Sequence, residues 1–347
     1  MTAVDIVDSE AHEADPEGYT NNPIGTGPYK LEDWVVGSEV TLVKNENYWD
    51  DDPYKYFVQN MDIIRYKVIA ESAQRAIELE TGGVDLIYDP QASDLNRFGE
   101  MEGYAAGALD INKCLNIYFN CTENSVMQDK RLRHAVAYAT DTQALALAAC
   151  EGLGTPAASI AHPISMEWRD EYEGKTIYPL DVAKAQELID EVKAEGIDPS
   201  FSILTDENAT KRATATVIQE AMKQLGVDVT VESLEAATFQ ARYSDMTAWD
   251  TYIGFGGSSA LYTLSTLTTQ IDRTGYPNPS ELRDVVDLAF TEYVAENSDE
   301  AVALWDEEIP ILNLCYVKNV YAYKEGLKGA EELDFSGMIH PGACSWE

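Results

Sequence analysis

The chain has 347 residues, 45% hydrophobic and 24% charged, long enough for two domains with cores of their own. Twenty-four basic against 61 acidic residues give a net charge of −37, a field that repels nucleic acid and anionic lipid, so neither is an expected partner. No run reaches the roughly 18 apolar residues of a membrane span. The acidic opening MTAVDIVDSEAHEADPEG lacks the apolar centre of a signal peptide. By composition the chain reads as soluble and cytosolic, or as a mature or truncated piece of an exported protein. The acids are spread along the whole chain, which favours solubility over a patch for cationic ligands.

In NPIGTGPYKLEDWVVGSEVTLVKNENYW, Gly25 and Gly27 before Pro28 predict a tight turn. Tyr29 to Trp34 and Val40 to Lys44 then predict a hairpin about Gly37-Ser38, which by itself is no more than a surface hairpin. Met61 to Ile69 alternates as a strand. Ser72 to Thr81 predicts a helix with Ser72 as N-cap, Ala73, Ala76 and Ile77 on one side, and Gly82-Gly83 as the stop. Val84 to Tyr88 completes a strand–helix–strand order that suggests a βαβ unit on one sheet.

Cys114 to Asn120 reads as a strand. Helices follow at Asp129 to Ala139, with Asp129 as N-cap, and at Asp141 to Ala149. Leu180 to Lys193 is helical and stops at Gly196. Phe201 to Leu204, Asn208 to Leu225 and Val227 to Val231 form a second strand–helix–strand, with Ala213, Val217, Ala221 and Leu225 as the apolar stripe. Glu235 to Tyr243 predicts a helix, and Thr251 to Phe255 a strand leading into Gly256-Gly257-Ser258-Ser259. Ser298 to Glu308 is a helix stopped by Pro310, and Ile311 to Tyr316 and Val320 to Tyr323 are two strands.

Taken together, these stretches resemble one family. NPIGTGPY with its hairpin and N-x-x-YW, the strand GGVDLIYDP, YFN…QDKRLRHAVAYATD with Asp129, Arg131, Arg133 and Asp141, the helix with Asp181, Lys184, Ala185, Leu188 and Ile189, and EEIPILNLCYVKNVYAYKEGLKG occur in the order found in the family 5 solute-binding proteins. These are peptide-binding, extracytoplasmic receptors of ABC importers. The resemblance covers about Asn22 to Gly329. It implies an α/β, two-lobed periplasmic-binding-protein-like (class II) fold, with lobe I at residues 1–117 continued by 321–347 and lobe II at 118–320. It also implies a peptide or similar small-molecule ligand, ABC permease subunits as partners, and an extracytoplasmic, lipoprotein-type location. Family members carry a substantial portion before the hairpin. The expectation is therefore a truncated chain whose first lobe is incomplete, with apolar surface around the hairpin and the Met61 to Ile69 strand.

No catalytic set, cofactor or metal site emerges. The four histidines form no HExxH or H-x-x-x-H pair, and His134 reads as a packed or surface helix residue. There is no G-x-S-x-G elbow, and GFGGSS lacks the lysine of a phosphate loop. The five cysteines include no CxxC. Cys114 and Cys121 flank one strand roughly 23 Å apart, too far to bridge within it, so free buried thiols are expected. A hydrolase using paired carboxylates, or a sensor reusing the fold, stay open as alternatives.

Ligands of open α/β sheets sit at strand ends. That logic selects four places: Tyr88 and Asp89; Tyr118 and Asn120; Arg242, Trp249 and Tyr252; and the loop residues Phe255, Gly256, Ser258, Ser259 and Tyr262. Tyr118, Tyr252 and Phe255 are equally well read as core. In peptide-binding members, the position matching Ser258 carries the aspartate that meets the ligand's α-amine. Serine there argues against amine anchoring, and Arg242 suits an anionic ligand end or, more plainly, a surface ion pair. Peptide, oligosaccharide, opine-like molecule and metal chelate all remain as ligand classes.

Overall fold

A computed structural model describes residues 8–49, 58–257, 264–330 and 340–347. The chain divides into two compact units, Met1–Leu109 with Asn319–Glu347, and Asp110–Lys318. The expected divisions at 117/118 and 320/321 lie inside strands that run through both divisions without a break, Tyr104–Phe119 and Ile311–Lys324.

The first unit opens with two short helices, α1 (Ser9–Ala14) and α2 (Pro16–Asn21), capped by Asp8 and Asp15. Strands β1 (Tyr29–Val35), β2 (Glu39–Lys44) and β3 (Ile63–Lys67) form an antiparallel three-stranded sheet. Gly37 closes the hairpin at φ 74°, with the Ser38 N–H donating to the Val35 carbonyl at 2.9 Å, a conformation that favours glycine. Gly25 and Gly27 do not adopt positive φ, contrary to the expected turn; Asn45 holds this segment instead. Its side chain donates to the Gly27 carbonyl at 2.9 Å and its backbone N–H to the Pro28 carbonyl at 2.8 Å. The sheet exposes Trp34, Val35, Ile63 and Tyr66, and Val36 and Val68 beside them, the apolar surface expected in this region.

Helix α3 (Ser72–Thr81) spans the predicted residues, but Glu71 is the N-cap, and the Ser72 hydroxyl donates to the Asp89 carbonyl. Its buried face is Ala76 and Leu79, while Ile77 is exposed. The segment is not a βαβ unit. β3 belongs to the hairpin sheet, whereas β4 (Leu86–Tyr88) pairs antiparallel with residues 321–323. Helix α4 (Ala92–Glu100) has no counterpart in the sequence reading; Phe98, its one buried side chain, joins Leu79 and Ile87 in a small core.

The second unit is built on a mixed sheet. Strand β5 (Tyr104–Phe119) enters it, followed by α5 (Lys130–Ala139), α6 (Thr142–Ala148), β6 (Gly154–Pro156) and α7 (Val182–Ala194). Then come β7 (Phe201–Asp206), α8 (Ala209–Gln224), β8 (Val229–Leu234), α9 (Ala236–Tyr243) and β9 (Thr251–Gly256). Helices α10 (Leu264–Gln270), α11 (Glu281–Thr291) and α12 (Ala295–Glu308) precede β10 (Ile311–Lys324). The strand order here is β10-β5-β9-β7-β8, with β6 on β10. The expected β7–α8–β8 unit is present, with the two strands parallel, and β9 is parallel to β7 and antiparallel to β5. Ile311 to Tyr323, read as two strands, is one. Beyond it, β11 (Leu327–Lys328) and β12 (Ser345–Trp346) pair in the first unit.

Two arginines of the D-x-R-x-R motif do different work. Asp129 caps α5 by accepting from the Arg131 N–H, and Arg131 also reaches Glu195 at the surface. Arg133 is buried, and its guanidinium donates to the Met127, Gln128 and Glu308 carbonyls at 2.8–3.1 Å. It thereby fastens α5 to the end of α12. The five cysteines are all buried, and no disulfide links them. His134 bonds the Glu307 carbonyl at 2.8 Å and lies edge-on to Tyr178, a packed residue as expected.

Candidate functional site in the second unit

Parallel strands present their carboxyl ends, and the dipoles of the helices that follow, on one side of a sheet. In the second unit, that side holds Asp206 at the end of β7 and Phe255, Gly256 and Gly257 at the end of β9. Asn208 caps α8 by accepting from the Lys211 N–H. This seats Lys211 in the first turn, where its ammonium lies 2.6 Å from the Asp206 carboxylate and 5.4 Å from the Phe255 ring centre. Lys113, at the facing part of β5, places a second ammonium 4.7 Å from the same ring. Two ammonium groups thus lie against one aromatic ring, and one of them is paired with the Asp206 carboxylate, so this strand end carries charges of both signs. Phe255 and Gly256 are half-buried and Gly257 is exposed.

The opposite face of the same two strands is aromatic. Tyr118 and Tyr252 pair across β5 and β9 and stack with ring centres 4.3 Å apart. Trp249 meets Tyr252 edge-on at 5.1 Å and donates its indole N–H to the Tyr243 carbonyl at 3.0 Å. The glycines of β9 are what admit this arrangement. A Cβ at Gly254 would stand 3.1 Å from the Tyr118 ring, and one at Gly256 would overlap the Asn116 amide and come within 2.8 Å of the Tyr118 hydroxyl. Burial is the first cause pushing the Tyr118 phenol up to about 12 and raising Tyr252 further, so both stay neutral.

The sequence-selected residues separate accordingly. Tyr118, Trp249 and Tyr252 belong to the core, and their rings form a floor rather than an exposed wall. Asn120 has all its side-chain bonding positions used: its amide N–H groups donate to the Met246 and Trp249 carbonyls, and its oxygen accepts from the Thr122 N–H and hydroxyl. It clips the turn after β5 to the one before β9. Arg242 pairs with Glu232 at 2.8 Å, both partly exposed, so its surface ion pair is the plainer reading carried through. Phe255 and Gly256 remain accessible at the strand end. Tyr88 and Asp89 lie in the first unit. Asp89 holds φ 50°, and its carbonyl accepts from Ser72 and from Arg75 at 2.9 Å. Ser258, Ser259 and Tyr262 lie outside the described residues.

Sequence reasoning missed Asn116, Lys113 and Lys211. The signal for Asn116 was present: it alternates with Tyr118 and Asn120, so period two puts all three on one face. Lys113 and Lys211 converge only through the register of β5 with β9 and the length of the β7–α8 turn. Among the described residues, no group of three or more His, Cys, Asp or Glu side chains is placed to hold a metal ion, and no helix is long and apolar enough to cross a membrane.

Residues 1–272 match the profile of bacterial extracellular solute-binding proteins, family 5 Middle. Heme-binding protein A of Haemophilus influenzae is 27% identical over 247 residues, covering 69% of this chain and 43% of that protein. The oligopeptide-binding protein AppA of Bacillus subtilis is 23% identical over 357 residues, covering 94% of this chain and 62% of AppA. The chain thus spans roughly half of the relatives it matches. Among solved structures, AgaA of A. tumefaciens R10 in complex with agropinic acid superposes with TM-score 0.85 at 21% identity, over 99% of this chain and 71% of AgaA. DppA of Helicobacter pylori in complex with the peptide STSA gives 0.83 at 17%, over 99% and 68%. The fold is that of the class II periplasmic binding proteins, and the chain belongs to family 5 of the bacterial extracellular solute-binding proteins.

Proposed function

We propose that this chain is the ligand-recognising part of an extracytoplasmic receptor that hands a peptide or similar small polar solute to an ABC permease. The observation that carries the site is the end of β9, where the accessible backbone of Gly256 and Gly257 lies beside Phe255 and the Lys113 and Lys211 ammonium groups. Bare glycine backbone can hydrogen-bond an extended ligand. With the Asp206 carboxylate already engaged by Lys211, the strand end offers a free amine no uncommitted acid among these groups, which favours a neutral or anionic ligand end. The same logic fits both a peptide, as in the name of AppA, and an acid such as the one bound to AgaA. Membership of the solute-binding family favours a site that binds and releases its solute.

The test is a thermal-shift panel of short peptides, acidic opine-like compounds, oligosaccharides and metal chelates, run on the protein and on Lys211→Ala. At least one of the first two classes raises the melting temperature of the parent protein, and Lys211→Ala loses most of that shift. A panel in which only cationic solutes or chelates bind, or in which Lys211→Ala binds unchanged, contradicts the proposed site.

A further inference from the structure

Asn116 is 5% exposed, and its two amide ends have different fates. The amide nitrogen and the Tyr118 hydroxyl both lie within 2.8 Å of where a Cβ at Gly256 would stand, while the Asn116 Oδ1 is buried with no hydrogen-bond partner. A buried carbonyl oxygen left unpaired costs about 1–3 kcal/mol, and native chains carry few of them. Its two cross-strand neighbours offer nothing. Asn116 stands opposite Gly254, and the next pair along the face is Cys114 with Gly256. Its same-face neighbours along this strand, Cys114 and Tyr118, are both buried, so a polar residue at 116 is not what the packing there requires. The residue also lies between the buried tyrosine stack and half-buried Gly256, whose Cβ, if present, would overlap its amide.

Resting on the reading of the strand end as the ligand site, we infer that Asn116 is a specificity-determining residue whose Oδ1 accepts a hydrogen bond from an N–H or O–H of the bound solute. The empty protein carries the unpaired acceptor, and the ligand relieves it. An acceptor of this kind discriminates sharply, because a solute lacking the donor leaves the carbonyl unpaired in the complex as well. The chemical class is therefore a solute with an amide or hydroxyl donor next to its neutral or anionic end, such as a peptide N–H or a polyol hydroxyl, and not a purely apolar acid.

Two variants test this, Asn116→Leu and Asn116→Ser, with N-acetylated tripeptides and a sugar–amino acid conjugate as probes. Unliganded Asn116→Leu melts no lower than the parent, since loss of the unpaired carbonyl offsets loss of the amide beside Tyr118. For any probe that the parent binds, both variants bind roughly tenfold or more weakly. A lowered melting temperature for unliganded Asn116→Leu, with Asn116→Ser binding within twofold of the parent, makes the amide a structural support for Tyr118 or a water site and overturns the inference. If Asn116→Leu does not fold, the affinity of Asn116→Ser decides alone. A parent that binds no probe refutes the proposed function instead; the melting shift of unliganded Asn116→Leu is then decisive for the residue, since a fall overturns the inference and an unchanged or raised value sustains the unpaired acceptor.

Discussion

Tyr118 and Tyr252 stand opposite each other on antiparallel strands, and their rings stack with centres 4.3 Å apart and planes 9° from parallel. Each is nearly excluded from solvent, and the stack joins the two strands whose ends carry the proposed site. Removing one ring leaves a cavity beneath the other. Tyr252→Ala is expected to cost about 3–5 kcal/mol in urea unfolding. Gly254→Ala pushes a methyl to 3.1 Å from the Tyr118 ring and is expected to cost about 1–3 kcal/mol as overpacking. A Gly254→Ala protein as stable as the parent would mean that the stack has room to slide.

The strand end and its floor were legible from the sequence to different depths. Period-two alternation and the glycine run located β9 and the Tyr118 strand, because local backbone preferences set both. Whether Tyr118 and Tyr252 face solvent or core depends on which helices cover the sheet, and that is fixed by packing far along the chain. The βαβ reading of residues 61–88 failed for the same reason: the order strand–helix–strand is local, but the partner of β4 is residues 321–323. Asn120 reads from the sequence as a ligand contact, and Asn45 carries no expected role. Their side chains hold backbone at other turns, through bonds that no sequence spacing encodes.

Arg133 and Arg131 sit two residues apart and should respond oppositely to mutation. Arg133 is 2% exposed and bonded to three backbone carbonyls. Lysine cannot reproduce that fork, so Arg133→Lys is expected to lose about 3 kcal/mol. Arg131 pairs with Asp129 and Glu195 at the surface, and Arg131→Lys should leave the unfolding midpoint nearly where it was. Equal losses for the two would contradict this division of roles.

Asp306 gives the protein a pH signature. Its carboxylate accepts from the Ser159 hydroxyl and the Ile160 N–H, both at 2.8 Å. Burial nevertheless pushes it up to about 7, from 3.8. The folded chain therefore keeps this proton up to about pH 7 while the unfolded chain releases it near pH 4. Between those values the folded state binds more protons, so this group's contribution to stability falls as pH rises. Asp306→Asn can keep one acceptor for Ile160 and donate to Ser159. Its melting temperature, relative to the parent, should rise from pH 4.5 to pH 8. A difference that stays flat across this range would show that Asp306 ionises normally.

The central claim is that recognition proceeds without a free ligand amine. Calorimetric titration of the protein with a peptide pool, before and after N-acetylation, tests it most directly. The account predicts that acetylated peptides bind within a fewfold of their parents, because the Asp206 carboxylate at this strand end is already engaged by Lys211. Loss of binding on acetylation would contradict it, and would place an amine-binding carboxylate at the centre of recognition.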